Sequence, residues 1–212
     1  MGKISQGILG GFSGKVGNVV GASWKGISYI RIMPASVANP RTEGQVNQRN
    51  KFTAVLQFLQ AQLSFVKVGY KFYQNKQSAM NAAMSYILKN ATTGTAPNFE
   101  VDYANALLSR GKLQSAIGSG VTATSGAANV TWTNNSTQGN ARPDDLAMVL
   151  VYSPLNRESV IMLEDATRAD ASLEVEYPSY FVGDSLEVYL AFQAADGSSV
   201  SNSVHVGTVT AV

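Results

Sequence analysis

The residue types that could do chemistry in this chain are few, and their spacing narrows them further. His205, in Ser203-Val-His-Val-Gly207, is the single histidine and so the one side chain whose ordinary pKa suits proton transfer near neutrality. It has no obvious acid or base partner nearby in sequence and is expected on the outward face of a last strand, exposed. The carboxylates Asp144-Asp145, Glu164-Asp165, Asp170 and Asp184 could build a calcium site or an acid/base pair. None follows calcium-loop spacing, and a solvated acidic face is the expectation. The absence of cysteine removes thiolate zinc sites, iron–sulfur clusters, disulfides and cysteine nucleophiles together. Glycines 7, 10, 11, 14, 17 and 21 suggest a phosphate loop, but Leu9 stands where its first glycine belongs and Val16 follows Gly14-Lys15. The dinucleotide fingerprint is missing too. The expectation is a protein that is not an enzyme, with no cofactor and no metal.

Interaction chemistry is better supplied. Phe65–Lys76 interleaves aromatic and basic residues, and Lys67, Tyr70, Lys71 and Tyr73 could stack bases and neutralise phosphates as single-strand binders do. The alternative is an amphipathic element with its aromatics in the core. A second basic–aromatic group, Lys15, Trp24, Lys25, Tyr29 and Arg31, falls on a predicted hairpin. Together these nine residues are the candidate interaction surface. The formal net charge of +2 hides a strong division. Residues 1–112 hold thirteen of the sixteen basic residues against three acids, net +10, and residues 113–212 carry −8. Such asymmetry points to a polyanionic partner or to charge-matched association.

The elements that must position these groups are of two kinds. Lys15–Trp24 and Ile27–Met33 read as two strands around Lys25-Gly26, ended by Pro34 and Asn39-Pro40. Thr42-Glu-Gly-Gln45 has the form of a capping box. A helix to about Leu63 follows, with Phe52, Val55, Leu56, Leu59 and Leu63 on one face. A second helix spans about Gln77 to Lys89. Phe99–Tyr103 and Ala106–Leu113 are strand candidates, and Ser115–Gly126 has the composition of a linker. Beyond it come short strands: Asn129–Thr133, the apolar Leu146–Ser153, and the alternating runs at 173–177, 186–193 and 203–209. The expected fold is α+β: a basic domain 1–114 with a β-hairpin and two helices, a linker 115–126, and an acidic immunoglobulin-like β-sandwich 127–212.

Trp132 on an early strand, an apolar strand near Tyr152, the tyrosine-rich corner at Tyr177–Tyr180 and two closing strands resemble a fibronectin type III or immunoglobulin-like domain, a fold that hosts many roles. Gly14-Lys-Val-Gly-Asn-Val-Val-Gly21 with Trp24-Lys-Gly26, Tyr29, Arg31 and Pro34 resembles the signature of an uncharacterised family of Bacteroidota and their phages. Asn39-Pro-Arg-Thr42, Gln45, Gln48-Arg49 and Phe52 are similar to a pattern of small phage and prophage proteins. This resemblance implies a phage or mobile-element setting and transfers no functional residue. The longest purely apolar run is Leu146–Val151, too short for a bilayer, and the glycine-broken N-terminus lacks the form of a signal peptide. No membrane partner is expected, and cytoplasmic and virion-associated locations stay open. The expected function is a structural protein that self-associates or decorates a larger assembly. The alternative is nucleic-acid binding by the basic N-terminal part.

Overall fold

A computed structural model of the chain describes residues 2–3, 11–24, 26–36, 39, 41–73 and 77–212, for residues 2–3 the backbone alone. Lys25 of the hairpin turn, and Lys76 at the end of the aromatic–basic segment, lie outside the described residues. The chain divides into two units, Met1–Thr42 and Glu43–Val212.

In the first unit, β1 (Gly2–Lys3), β2 (Gly14–Val16), β3 (Val19–Trp24) and β4 (Ile27–Ile32) form an antiparallel sheet in the order β1-β4-β3-β2. The hairpin expected around Gly26 is present, with Trp24 opposite Ile27. The strand expected from Lys15 to Trp24 is broken into two, because Gly17 adopts φ +58° and turns the chain between Val16 and Val19.

The second unit begins with α1 (Glu43–Ala61), α2 (Leu63–Gly69) and α3 (Ala79–Asn90), followed by the hairpin β5 (Thr92–Thr95) and β6 (Asn98–Val101). The remaining strands are β7 (Gly120–Thr124), β8 (Ala127–Thr131), β9 (Leu146–Ser153), β10 (Glu158–Met162), β11 (Ser172–Glu176), β12 (Ser185–Gln193) and β13 (Val204–Thr210). They form two antiparallel sheets, β11-β8-β7 and β10-β9-β12-β13, the two-sheet arrangement of an immunoglobulin-like sandwich. The α+β fold expected from sequence is therefore present.

The uninterrupted apolar run of β9 has a structural cause: both faces of its sheet are buried. Ala147, Val149 and Val151 alternate with Met148, Leu150 and Tyr152. The first set joins Val130, Trp132, Val175, Val188 and Phe192 in the sandwich core. The second set, with Tyr189 and Ala191 of β12, packs in one cluster with Val55, Phe58 and Leu59 of α1 and Ala83 and Ile87 of α3. The four-stranded sheet is thus the middle layer of three.

This layering corrects the expected domain boundaries. The helices belong with the sandwich and not with the N-terminal hairpin, and the expected linker 115–126 contains β7, fully paired with β8. Its small, weakly apolar residues suit a strand at the edge of a sheet, and composition alone reads them as a linker. The helical face of α1 is also shifted: Val55, Phe58 and Leu59 are buried, while Phe52 and Leu63 are exposed. Ala106–Leu113 is no regular strand. It runs irregularly along residues 200–203, where the Ser203 hydroxyl accepts from the Leu108 amide at 2.9 Å and the Ser109 hydroxyl donates to the Ser201 carbonyl at 2.7 Å.

Candidate functional site

The nine candidate residues fall in both units, four described ones in the first and four in the second, and each set stands by itself. In the first unit the register lines up Lys15, Val20 and Arg31 across three strands, with Ala22 opposite Tyr29 and Trp24 opposite Ile27. Residues directly opposite share a face, and alternate residues along a strand share it too. Lys15, Arg31, Tyr29 and Trp24 therefore lie on one basic–aromatic face. The other face carries the row Val16, Val19, Ile32, and Ile30 beside Gly21. Phe12 lies over Gly21, where an added Cβ would sit 2.6 Å from the Phe12 ring, so glycine is required at that position.

This sheet buries almost nothing. Val16, Trp24 and Ile32 are 66%, 63% and 78% exposed, and among the described residues of the unit only Gly21 is buried. Residues 1–42 contain five basic residues (Lys3, Lys15, Lys25, Arg31, Arg41) and no acid.

In the second unit the four candidates separate. Tyr70 is a core residue, 1% exposed, whose hydroxyl donates to the Leu107 carbonyl at 3.0 Å, and burial raises its pKa. It is not a surface stacking group, because the turn that follows α2 folds it inward between α3 and the 106–108 segment. Lys67 and Lys71 are exposed and Tyr73 is half-buried. Tyr73 meets a residue that the aromatic–basic pattern missed: the Arg110 guanidinium lies 4.9 Å from the Tyr73 ring centre and 5.6 Å from that of Tyr86. Arg110 is brought there by its amide, which donates to the Gly69 carbonyl at 3.0 Å. Forty residues of sequence separate it from Gly69, so no local pattern could have paired them. A cleft of about 360 Å³ opens here, lined by Tyr73, Tyr86, Lys89 and Arg110 among others. A second, of about 330 Å³, is lined by Phe72, Tyr73, Lys112 and the serines 198 and 199.

The residues considered for acid–base chemistry are built into the fold. His205 is not exposed as expected: its Nε2 lies 2.6 Å from Glu187, which also accepts from Thr208, and both side chains are largely buried. It does point away from the sandwich core, but Tyr189 and the 103–105 turn flank that face. Two of the expected solvated carboxylates are also buried. Asp184 accepts from Ser153 at 2.8 Å and from Asn156 at 2.6 Å, securing the β9–β10 turn. Asp145 accepts from Nε of the fully buried Arg168 at 2.9 Å. The Arg168 guanidinium also donates to Asn135 and to the Gln114 carbonyl and stacks 3.8 Å from the Phe192 ring centre. The exposed Asp170 accepts from the Thr167 amide and hydroxyl, and those hydrogen bonds hold its pKa down. Among the described residues no cluster of three or more His, Asp or Glu is placed to hold a metal ion. No described helix is long and apolar enough to cross a membrane.

No curated protein and no solved structure shows significant similarity to the chain. A family model does match, over residues 11–207, which include the N-terminal sheet from Phe12 onward and nearly all of the sandwich. The chain therefore belongs to the Family of unknown function (DUF6266).

Proposed function

We propose that the protein is a non-enzymatic structural protein, phage- or mobile-element-derived, that self-associates or decorates a larger assembly through its N-terminal sheet. The observation that carries this reading is a four-stranded sheet with no core of its own. A sheet gains stability by burying at least one face, and small units with little buried apolar area are marginal alone. The row Val16, Val19, Ile32 therefore calls for a cover. A second copy fits by charge. Residues 1–42 are purely basic, whereas residues 43–212 hold eleven basic residues against fourteen acids, net −3. Glu174 and Glu176 stand exposed on the outer face of β11. Contact between the sheet of one copy and the acidic sandwich of the next is head-to-tail, the type that closes into rings or extends into filaments. Charge of this kind sets on-rate and register more than affinity. The buried pairing of His205 with Glu187 and of Asp145 with Arg168 favours structural over catalytic roles for these groups.

Sedimentation velocity on the full chain across protein concentration and salt tests the reading. We expect association at low salt that weakens as salt rises, and that the charge reversals Lys15→Glu and Arg31→Glu together abolish. A strictly monomeric protein at every salt, with no attachment to particles, refutes it.

A further inference from the structure

We infer that the paired clefts either side of Tyr73 bind single-stranded nucleic acid. The inference uses residues of the second unit alone and does not depend on association through the N-terminal sheet. The Arg110 guanidinium lies 4.9 Å from the Tyr73 ring centre and 5.6 Å from that of Tyr86, a cation held beside two aromatic rings and able to bond a phosphate. Lys89 lines the same cleft, and Lys112 lines the second, beyond Tyr73. Among the described residues no carboxylate lines either cleft. The ion pairs found among the described residues, Arg168–Asp145 and His205–Glu187, leave these three cations out. Three cations thus line two clefts that share Tyr73, and a polyanion running through both would neutralise them together.

The aromatic content selects the kind of polyanion. Phe72 is 49% exposed, Tyr73 and Tyr86 are half-buried, and all three border the clefts. Cations that track a backbone, interleaved with rings that offer π-faces, are what unpaired bases need; a duplex hides those faces. An acidic peptide would use the cations and leave the rings idle.

The test is fluorescence anisotropy of a labelled oligothymidylate with the full chain at low salt. We expect binding that falls about ten-fold with Tyr73→Ala and is kept by Tyr73→Phe, since stacking and not the hydroxyl is required. Arg110→Ala should weaken binding and lower the slope of log affinity against log salt by about 0.7. Lys89→Ala and Lys112→Ala, at exposed positions, should each weaken it a few-fold with thermal stability unchanged. Lys15→Ala and Arg31→Ala should leave it intact. No binding at low salt overturns the inference, as does binding that the Tyr73 and Arg110 variants leave unchanged. So does a loss confined to the Lys15 and Arg31 variants. Equal affinity for duplex DNA, or displacement by polyglutamate as effective as by oligonucleotide, overturns it in favour of a general acidic partner. A monomeric protein that binds the oligonucleotide supports this inference while refuting association.

Discussion

Asp145→Ala isolates a fully buried charge, that of Arg168. Arg168 is 0% exposed, and Asp145, 1% exposed, is the one anion bonded to it. Removing the carboxylate leaves the guanidinium with a neutral amide, a backbone carbonyl and an aromatic face. Burial already lowers the Arg168 pKa, and the neighbouring Asp145 is what opposes that shift. Breaking a buried ion pair by deleting one partner typically costs about 3–5 kcal/mol, because the remaining charge is uncompensated. For a folded unit of this size each kcal/mol moves Tm by about 2–4 °C, so the variant should melt about 6–20 °C lower. The assay is urea and thermal unfolding followed by near-ultraviolet circular dichroism. Trp132 reports directly, since its Nε1 donates to the Arg168 carbonyl at 3.0 Å. The double variant Asp145→Ala/Arg168→Met removes the stranded charge and should recover much of the loss. A loss below about 1 kcal/mol for Asp145→Ala, or strictly additive effects in the double variant, refutes the argument that an isolated charge is the penalty.

Two further perturbations follow from buried polar groups. Gln62, at the junction of α1 and α2, is 0% exposed, and neither its amide nitrogen nor its oxygen has a hydrogen-bond partner among the described residues. Gln62→Met keeps the shape and removes that penalty, so urea unfolding should show about 1–3 kcal/mol of added stability; a loss contradicts this account. Burial raises the phenol pKa values of Tyr70, Tyr152 and Tyr189, Tyr152 to about 12. The folded state thus favours the neutral phenol. That stability is fully present below the unfolded value near pH 10 and declines as pH rises through the folded values. Alkaline unfolding should begin above about pH 10 and coincide with phenolate absorbance, and phenolate appearing for all nine tyrosines before unfolding contradicts it.

Much of the fold could be read from periodicity. The alternation at 173–177 and 186–193 fixes which side chains enter the sandwich, and the structure has Val175, Leu186, Val188 and Leu190 there. The solid apolar run at 146–153 indicated a central strand without indicating what covers its second face, because a strand's own residues do not name their partners. The helix layer was placed with the wrong neighbour for that reason. Charge division likewise suggested a boundary near residue 115, where the chain instead runs within the second unit from an irregular stretch into β7. The surface groups were less legible. Tyr70 and Tyr73 look alike in sequence, and only the direction of the turn after Gly69 sends one into the core and leaves the other beside Arg110. Gly69 itself permits that turn: a Cβ there would meet the Leu108 carbonyl at 2.6 Å and the Ser109 Cα at 2.7 Å.

The double-sided burial of the β10-β9-β12-β13 sheet bears on how this molecule can be divided. An antiparallel sandwich ordinarily buries only the inner faces of its two sheets and leaves the outer ones to water. This one buries an outer face as well. Met148, Leu150, Tyr152, Tyr189 and Ala191 would be stranded in solvent if the segment from Gly120 onward were transplanted without its helices. The sandwich and the helices of the second unit are thus one folding body, which a cut at Gly120 would split through its core.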